Sequence, residues 1–209
     1  MPFTTKADFE ARATARLAPL GAAFEEPLRT DYDLNPDWPA PAKPSYRKAA
    51  VLVGLMDRGE DYAVLLTLRP ETMASHAGQV AFPGGRIETG ETAVEAALRE
   101  AHEEVGVDPA TVRMLGQGDT YLTGSGFAIS PFVGILPADF TPVPHPREVA
   151  DVFETPLSFL MNVDNHERHE REFRGALRTY YAMPHNGRYI WGATAGMIKS
   201  LYDRLYGAG

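Results

Sequence analysis

Residues 85–107 read GRIETGETAVEAALREAHEEVGV, a glycine-led loop running into a helix that carries Glu100, Glu103 and Glu104. Each residue of an α-helix turns by about 100°, so with Glu100 as origin Glu103 lies at about −60° and Glu104 at about +40°. The three carboxylates therefore share one arc of roughly 100°. Val94, Leu98, Ala101 and Val105 fall between roughly 100° and 160°, which predicts a separate apolar stripe facing a core. Carboxylates this close repel one another, and a hard cation removes the repulsion. Mg²⁺ takes a few carboxylates together with water and phosphate oxygens. A bare E-x-x-E-E cluster is more often a solvated acidic face. The preceding Phe82-Pro83-Gly84-Gly85 shifts the reading, because glycines at a strand-to-helix turn let backbone approach a ligand or adopt positive φ. The helix is predicted over residues 91–105, ended by Gly106.

These residues fill the fixed positions of the Nudix box, G-x5-E-x7-R-E-U-x-E-E-x-G-U with U bulky and apolar: Gly85, Glu91, Arg99, Glu100, Glu103, Glu104, Gly106 and Val107. Only Ala101 departs, a small residue at a U position. The chain thus resembles the Nudix hydrolases. That resemblance implies an α/β fold, an α/β/α sandwich with a mixed β-sheet, and metal-dependent hydrolysis of a P–O–P linkage. It implies Mg²⁺ or Mn²⁺ held by Glu100, Glu103 and Glu104, with Glu100 either a third ligand or the base that takes the water's proton. It makes Glu91 and Arg99 an ion pair bracing loop against helix rather than part of the chemistry.

Upstream, residues 65–85 read LLTLRPETMASHAGQVAFPGG. They resemble the signature of the coenzyme A pyrophosphatase branch, L-L-T-x-R-[SA]-x3-R-x3-G-x3-F-P-G-G. Leu65, Leu66, Thr67, Arg69, Gly78, Phe82, Pro83, Gly84 and Gly85 match, while Pro70 replaces a small residue and Ala74 replaces the second arginine. A methyl group cannot do what a forked guanidinium does for phosphate. Weaker matches follow at residues 148–153, 155–157 and 189–195, so the resemblance spans about residues 48–206. It implies a small-molecule nucleotide substrate, coenzyme A or an acyl derivative, split into 3′,5′-ADP and 4′-phosphopantetheine. Arg69, Gly78, Gly84 and Gly85 are the candidate substrate contacts. Another nucleoside diphosphate derivative, such as ADP-ribose or a dinucleotide, is the alternative substrate. A non-catalytic nucleotide-binding Nudix module is the alternative class, and the intact acidic triad speaks against it.

The chain has 209 residues, a net charge of −8 and no cysteine. That length suits one domain with an extension. The acidic balance argues against nucleic acid or membrane as a partner through overall charge, and it requires local basic residues to draw in a polyphosphate. Without cysteine there is neither a disulfide framework nor thiolate chemistry. The first residues show no long apolar run, so a cytoplasmic location is expected. Residues 1–47 read as a helical extension and a proline-rich linker, and residues 48–209 as the hydrolase domain.

Within the extension, residues 5–18 are predicted helical with Thr5 as cap, and residues 35–44 (NPDWPAPAKP) cannot be helix or central strand. Residues 49–56 and 62–69 are predicted to form a hairpin about a turn at 57–61. A strand over 127–136 is interrupted at Pro131, which suits an edge or a bulge. A short helix at 156–161, a hairpin about Asn186-Gly187 and a helix over 194–206 complete the chain. Among single residues, His76 reads as ordering its loop, Gln79 equally as bracing the loop or reading a substrate group, and Glu148 as a surface glutamate. Trp191 reads as core. Arg168, Arg171, Arg174 and Arg178, interleaved with Glu167, Glu170 and Glu172, read as a salt-bridged edge rather than a phosphate patch.

Overall fold

The computed structural model describes residues 3–21, 29–37, 46–72, 78–173 and 175–207. Ala74, His76 and Arg174, and most of the proline-rich stretch, lie outside the described residues. The central strand β2 (Arg47–Arg58) follows from AAVLVGLM, a run apolar on both faces, as an inner strand requires. It turns at Gly59-Glu60 into its antiparallel partner β3 (Asp61–Leu68). On its other side β2 runs parallel to β8 (Phe127–Ile135). Outward from these lie β1 (Arg29–Thr30) on β7 (Tyr121–Leu122), β4 (Val80–Ala81) and β9 (Asp151–Pro156) on β3, β5 (Gly84–Arg86) on β2, and β6 (Arg113–Gln117) on β8. Parallel and antiparallel pairs make the sheet mixed. A second, three-stranded sheet orders β10 (Glu167–Phe173), β11 (Ala176–His185) and β12 (Arg188–Trp191).

Helices cover both faces, giving the α/β/α sandwich. On one face α2 (Ala93–Val105) packs Ala101 and Val105 against Leu52, Met56 and Leu65. On the other, α1 (Lys6–Arg16), α3 (Leu157–Leu160) and α4 (Gly192–Tyr206) pack against Val51, Val53, Leu55, Val64 and Leu66. The alternation along β2 divides its side chains between the two cores. The extension joins the same body: Phe9 and Ala13 are fully buried, and Arg12 reaches the Leu205 carbonyl at 3.4 Å. Among the described residues no helix is long and apolar enough to cross a membrane.

Three sequence expectations need correction. The helix expected from residue 91 begins at Ala93, because Thr92 and Glu95 form a capping box: the Glu95 N–H donates to Thr92 Oγ1 and the Thr92 N–H to Glu95 Oε2. Glu91 therefore stands on the loop. Second, the buried stripe of α2 is Ala96, Ala97, Ala101, Glu104 and Val105, with Val94 and Leu98 only partly covered. On the helical wheel Glu104, at about +40°, lies between Ala97 at about +60° and Ala96 at about −40°, inside that arc. Two alanines let the helix lie close against Ala50 and Phe132, and the carboxylate goes in with them.

Third, Pro131 is neither at an edge nor in a bulge of its own strand. It pairs in register with Val51 inside the sheet. Its carbonyl accepts from Gly118 N–H at 2.9 Å, and its imide nitrogen points to the same side, as in any strand residue. There the partner changes from β6 to β7, so the missing N–H costs no ladder bond. The other elements formed where expected, including the turn at Asn186-Gly187 with both residues at positive φ, 47° and 75°.

Replacing Thr92 with Ala removes the capping box and is expected to cost about 1 kcal/mol, read by urea unfolding. An unchanged midpoint would mean that the capping box does not hold the start of α2.

Candidate active site

The glycine loop and α2 meet at two points of close approach. Gly84 and Gly85 pair with Val51 and Ala50 of β2, which fixes the loop against the sheet. A Cβ on Gly84 would press into the Ala50 carbonyl and lie 2.7 Å from Val51 Cα. A Cβ on Gly85 would collide with the Glu100 carboxylate. Gly84 therefore demands glycine for space, while a side chain at Gly85 would displace the Glu100 carboxylate. The Gly84 N–H donates to Glu104 Oε2 at 3.1 Å, so backbone holds the buried carboxylate directly.

Arg99 ties the remaining acids together. Its Nε donates to Glu91 Oε1 at 2.8 Å, its Nη1 to Glu100 Oε1 at 2.9 Å and to Glu103 Oε2 at 3.1 Å. Nη2 reaches the Arg86 carbonyl at 3.1 Å. The guanidinium thus braces loop to helix and partly neutralises the acidic face. In this arrangement no three acidic or imidazole side chains among the described residues converge as a ready chelate.

The electrostatics fit a cation nonetheless. Glu104 is only 4% exposed, and burial pushes its carboxyl up to about 7 against the pull of the Gly84 N–H and Arg69. Glu100 is raised too, first by burial and then by Glu103 and Glu148, with Arg99 opposing. Glu148, expected at the surface, is about half exposed, yet its charge acts on both Glu100 and Glu104. Glu103 is the most open of the three. Hard oxygen donors crowded until their charge is disfavoured are what a divalent ion relieves.

Beside this corner opens a cavity of about 1150 Å³. Arg69, Gly84 and Gly85 line it, as the sequence had suggested for a substrate site. Arg69 Nη1 stands 3.9 Å from Glu104 Oε1, and its Nε is buried without a hydrogen-bond partner. Gly78 takes a different place: it turns the chain at φ 65°, where a Cβ would strike Glu71, while its neighbour Gln79 lines the cavity. Among the described residues six arginines and Lys199 line the walls against three acids, Asp31, Asp33 and Asp203. This is the local cationic field that a chain of net charge −8 requires for an anionic substrate.

Several lining residues were not read from the sequence as site residues. Asp31 comes from the extension, where no motif marked it. Trp191, expected in the core, is half-buried and faces the cavity, and Tyr180 and Tyr181 join it. Arg168, Arg171 and Arg178 line the cavity too. The expected salt-bridged edge is absent: among the described residues no carboxylate pairs with Arg168 or Arg171, and Arg178 pairs with Asp31 at 3.0 Å. In β10 Arg168 shares a face with Glu170 and Glu172, and Arg171 with Glu167, yet among the described residues none of these pairs closes, and Glu167 meets His169 at 2.6 Å instead.

Comparison with known proteins agrees with the geometry. The family model described as NUDIX domain matches residues 45–179. An uncharacterized Nudix hydrolase, NudL, of an Enterobacter species (strain 638) is 40% identical over 156 residues, covering 74% of this chain and 81% of that protein. NudL of Escherichia coli K12 is 36% identical over 158 residues, covering 75% and 82%. Among solved structures, a Nudix hydrolase from M. smegmatis, RenU, superposes with a TM-score of 0.52 at 21% identity, over 76% of this chain and 84% of that one. That likeness speaks for the fold.

The buried Glu104 predicts a pH dependence of stability. Its folded value, about 7, lies above the ordinary 4.5, so its contribution is fully present below 4.5 and is lost as pH rises through 7. In chelator, the wild-type melting temperature is expected to fall by a few degrees more than that of Glu104→Gln between pH 5.5 and 8. Parallel curves for the two proteins would refute the assignment.

Proposed function

This chain belongs to the Nudix hydrolase family, enzymes that split pyrophosphate bonds, and on that premise we propose that it cleaves coenzyme A or an acyl derivative of it. The observation that carries the substrate reading is the run Leu65, Leu66, Thr67, Arg69, Gly78, Phe82, Pro83, Gly84 and Gly85, which resembles the coenzyme A pyrophosphatase signature. Its Arg69, Gly84 and Gly85 line the cavity, and the same three residues adjoin the acidic corner of α2, whose carboxylates stand outside the cavity wall. A cavity of about 1150 Å³ also has room for a substrate much larger than a bare diphosphate. In this reading residues 48–209 are the hydrolase domain, and residues 1–47 an extension that supplies part of its wall.

Glu100, Glu103 and Glu104 would hold the divalent metal that Nudix hydrolases use, here Mg²⁺ or Mn²⁺. When bound, that ion neutralises diphosphate oxygens and lowers the pKa of coordinated water. The protein's own contribution is placement. Gly84 N–H fixes Glu104, Gly85 leaves room for Glu100, and Arg99 keeps loop and helix in register. Glu100, half-buried beside two further carboxylates, has the raised proton affinity that suits a base, and its alternative role is a third ligand. Arg69, on the cavity wall, offers its guanidinium to a phosphate oxygen. Positioning and fixed charge supply most of the catalysis expected for in-line attack on phosphorus.

Incubation with coenzyme A and Mg²⁺ or Mn²⁺, with products identified by mass spectrometry, tests the reading. Wild type is expected to release 3′,5′-ADP and 4′-phosphopantetheine. Glu103→Gln should keep the fold and lose at least about a hundredfold in rate, the scale of one lost catalytic carboxylate. A wild-type rate in that variant would overturn the role of α2. Cleavage of ADP-ribose or dinucleotides without coenzyme A would move the substrate assignment to them.

A further inference from the structure

The three-stranded sheet carries an arrangement that packing does not explain. In the β10–β11 register Arg171 stands directly opposite Arg178. Opposed residues share a face of the sheet, and two like charges placed so are destabilising. Both line the cavity. Arg178 finds Asp31 at 3.0 Å, but Asp31 also accepts from Tyr121 Oη at 2.8 Å and from the Gly124 N–H at 2.7 Å. One carboxylate is thus divided among three donors. Among the described residues no carboxylate pairs with Arg171, whose guanidinium lies 5.9 Å from the centre of the Trp191 ring. Gly124 matters as well: a Cβ there would lie 2.9 Å from Arg178 Nη1, so glycine admits the guanidinium to this wall.

The same face presents aromatic surface. Tyr180 and Trp191 meet edge to face at 5.4 Å, and both line the cavity. Arg168 lies on the opposite face of β10, in register with Tyr181, and belongs to a separate part of the wall.

We propose that Arg171 and Arg178 form a phosphomonoester subsite, which takes the ribose phosphate of the substrate's nucleotide half while Tyr180 and Trp191 hold its purine. A dianionic phosphate between two guanidiniums relieves their mutual repulsion and accepts charge-assisted forked hydrogen bonds. An aromatic pair beside them stacks a base without reading its identity. The subsite rests on the coenzyme A reading, because it is the 3′-phosphate that distinguishes that substrate from simpler diphosphates. It also places recognition of that phosphate on a strand pair far along the chain from Ala74, where the upstream signature has an arginine.

The test compares kcat/KM for coenzyme A and dephospho-coenzyme A in wild type, Arg171→Ala, Arg171→Lys and Arg178→Lys. Wild type is expected to prefer coenzyme A. The preference should fall about tenfold or more in Arg171→Ala, carried by KM, as for loss of one charged hydrogen-bond donor. Arg171→Lys should fall between, keeping charge without the fork. Equal preference in all four proteins, or none in wild type, overturns the subsite. A second arm measures calorimetric binding of 3′,5′-ADP against 5′-AMP in chelator. If wild type cleaves neither coenzyme, the substrate reading fails by itself, and this arm decides the subsite. Tighter binding of 3′,5′-ADP that Arg171→Ala abolishes supports it, and equal binding of the two nucleotides rejects it.

Discussion

The site depends on one contact: the backbone of Gly84-Gly85 lying against the carboxylates of α2. Gly84 donates to Glu104, and the absence of a side chain on Gly85 is what leaves Glu100 its place. The constraint works in both directions. The loop is held from behind by its pairing with Ala50 and Val51 of β2, eight of whose twelve residues are buried. The helix is held by alanines 96, 97 and 101, whose small size lets it approach the same strand. Two acids are therefore carried into a position that their own solvation opposes. Their raised proton affinity is the electrostatic record of that cost.

Arg99 makes the arrangement tenable without a ligand. It satisfies Glu91 on the loop and touches Glu100 and Glu103 on the helix, so the loop, the helix and part of the negative charge are tied by one planar cation. A lysine could neutralise the charge but could not hold this many partners in fixed directions. The competition is also informative. Oxygens of Glu100 and Glu103 that face Arg99 are drawn toward the brace, which accounts for the lack of a ready chelate.

The local code of this corner was legible because its signals are short-range. Periodicity gave α2, the resemblance to the Nudix box implied the brace of Glu91 and Arg99, and the glycines gave the close approach. The misreadings share a physical cause. Thr92 and Glu95 fixed the helix start by a cap that outweighs the mere presence of Glu91 in the helical pattern. Glu104 was read with the acidic face because polarity was taken to imply exposure, whereas its angular position put it between buried alanines. Pro131 was judged by the strand alone, while its cost depends on which neighbour stands opposite. The cavity wall was the least legible part. Asp31 and Arg178 are brought together from segments far apart in the chain, and no local pattern in either announces the other.

That long-range pairing bears on how an acidic protein handles an acidic substrate. A net charge of −8 repels a polyphosphate at a distance, but screening confines this effect to about 8–10 Å at ordinary ionic strength. Inside the cavity the balance is reversed, with seven basic side chains against three acids among the described residues. The extension and the three-stranded sheet supply much of that reversal, through Arg29, Arg168, Arg171 and Arg178. The acidic corner on α2 and the basic wall thus carry opposite charge side by side, joined through Arg69, Gly84 and Gly85. One gathers oxygens that call for a cation, and the other gathers cations that call for phosphate. In the proposed reading a diphosphate with its metal would meet the first, and a further phosphate on the same molecule the second. On that reading selectivity would come from the wall, apart from the carboxylates of α2.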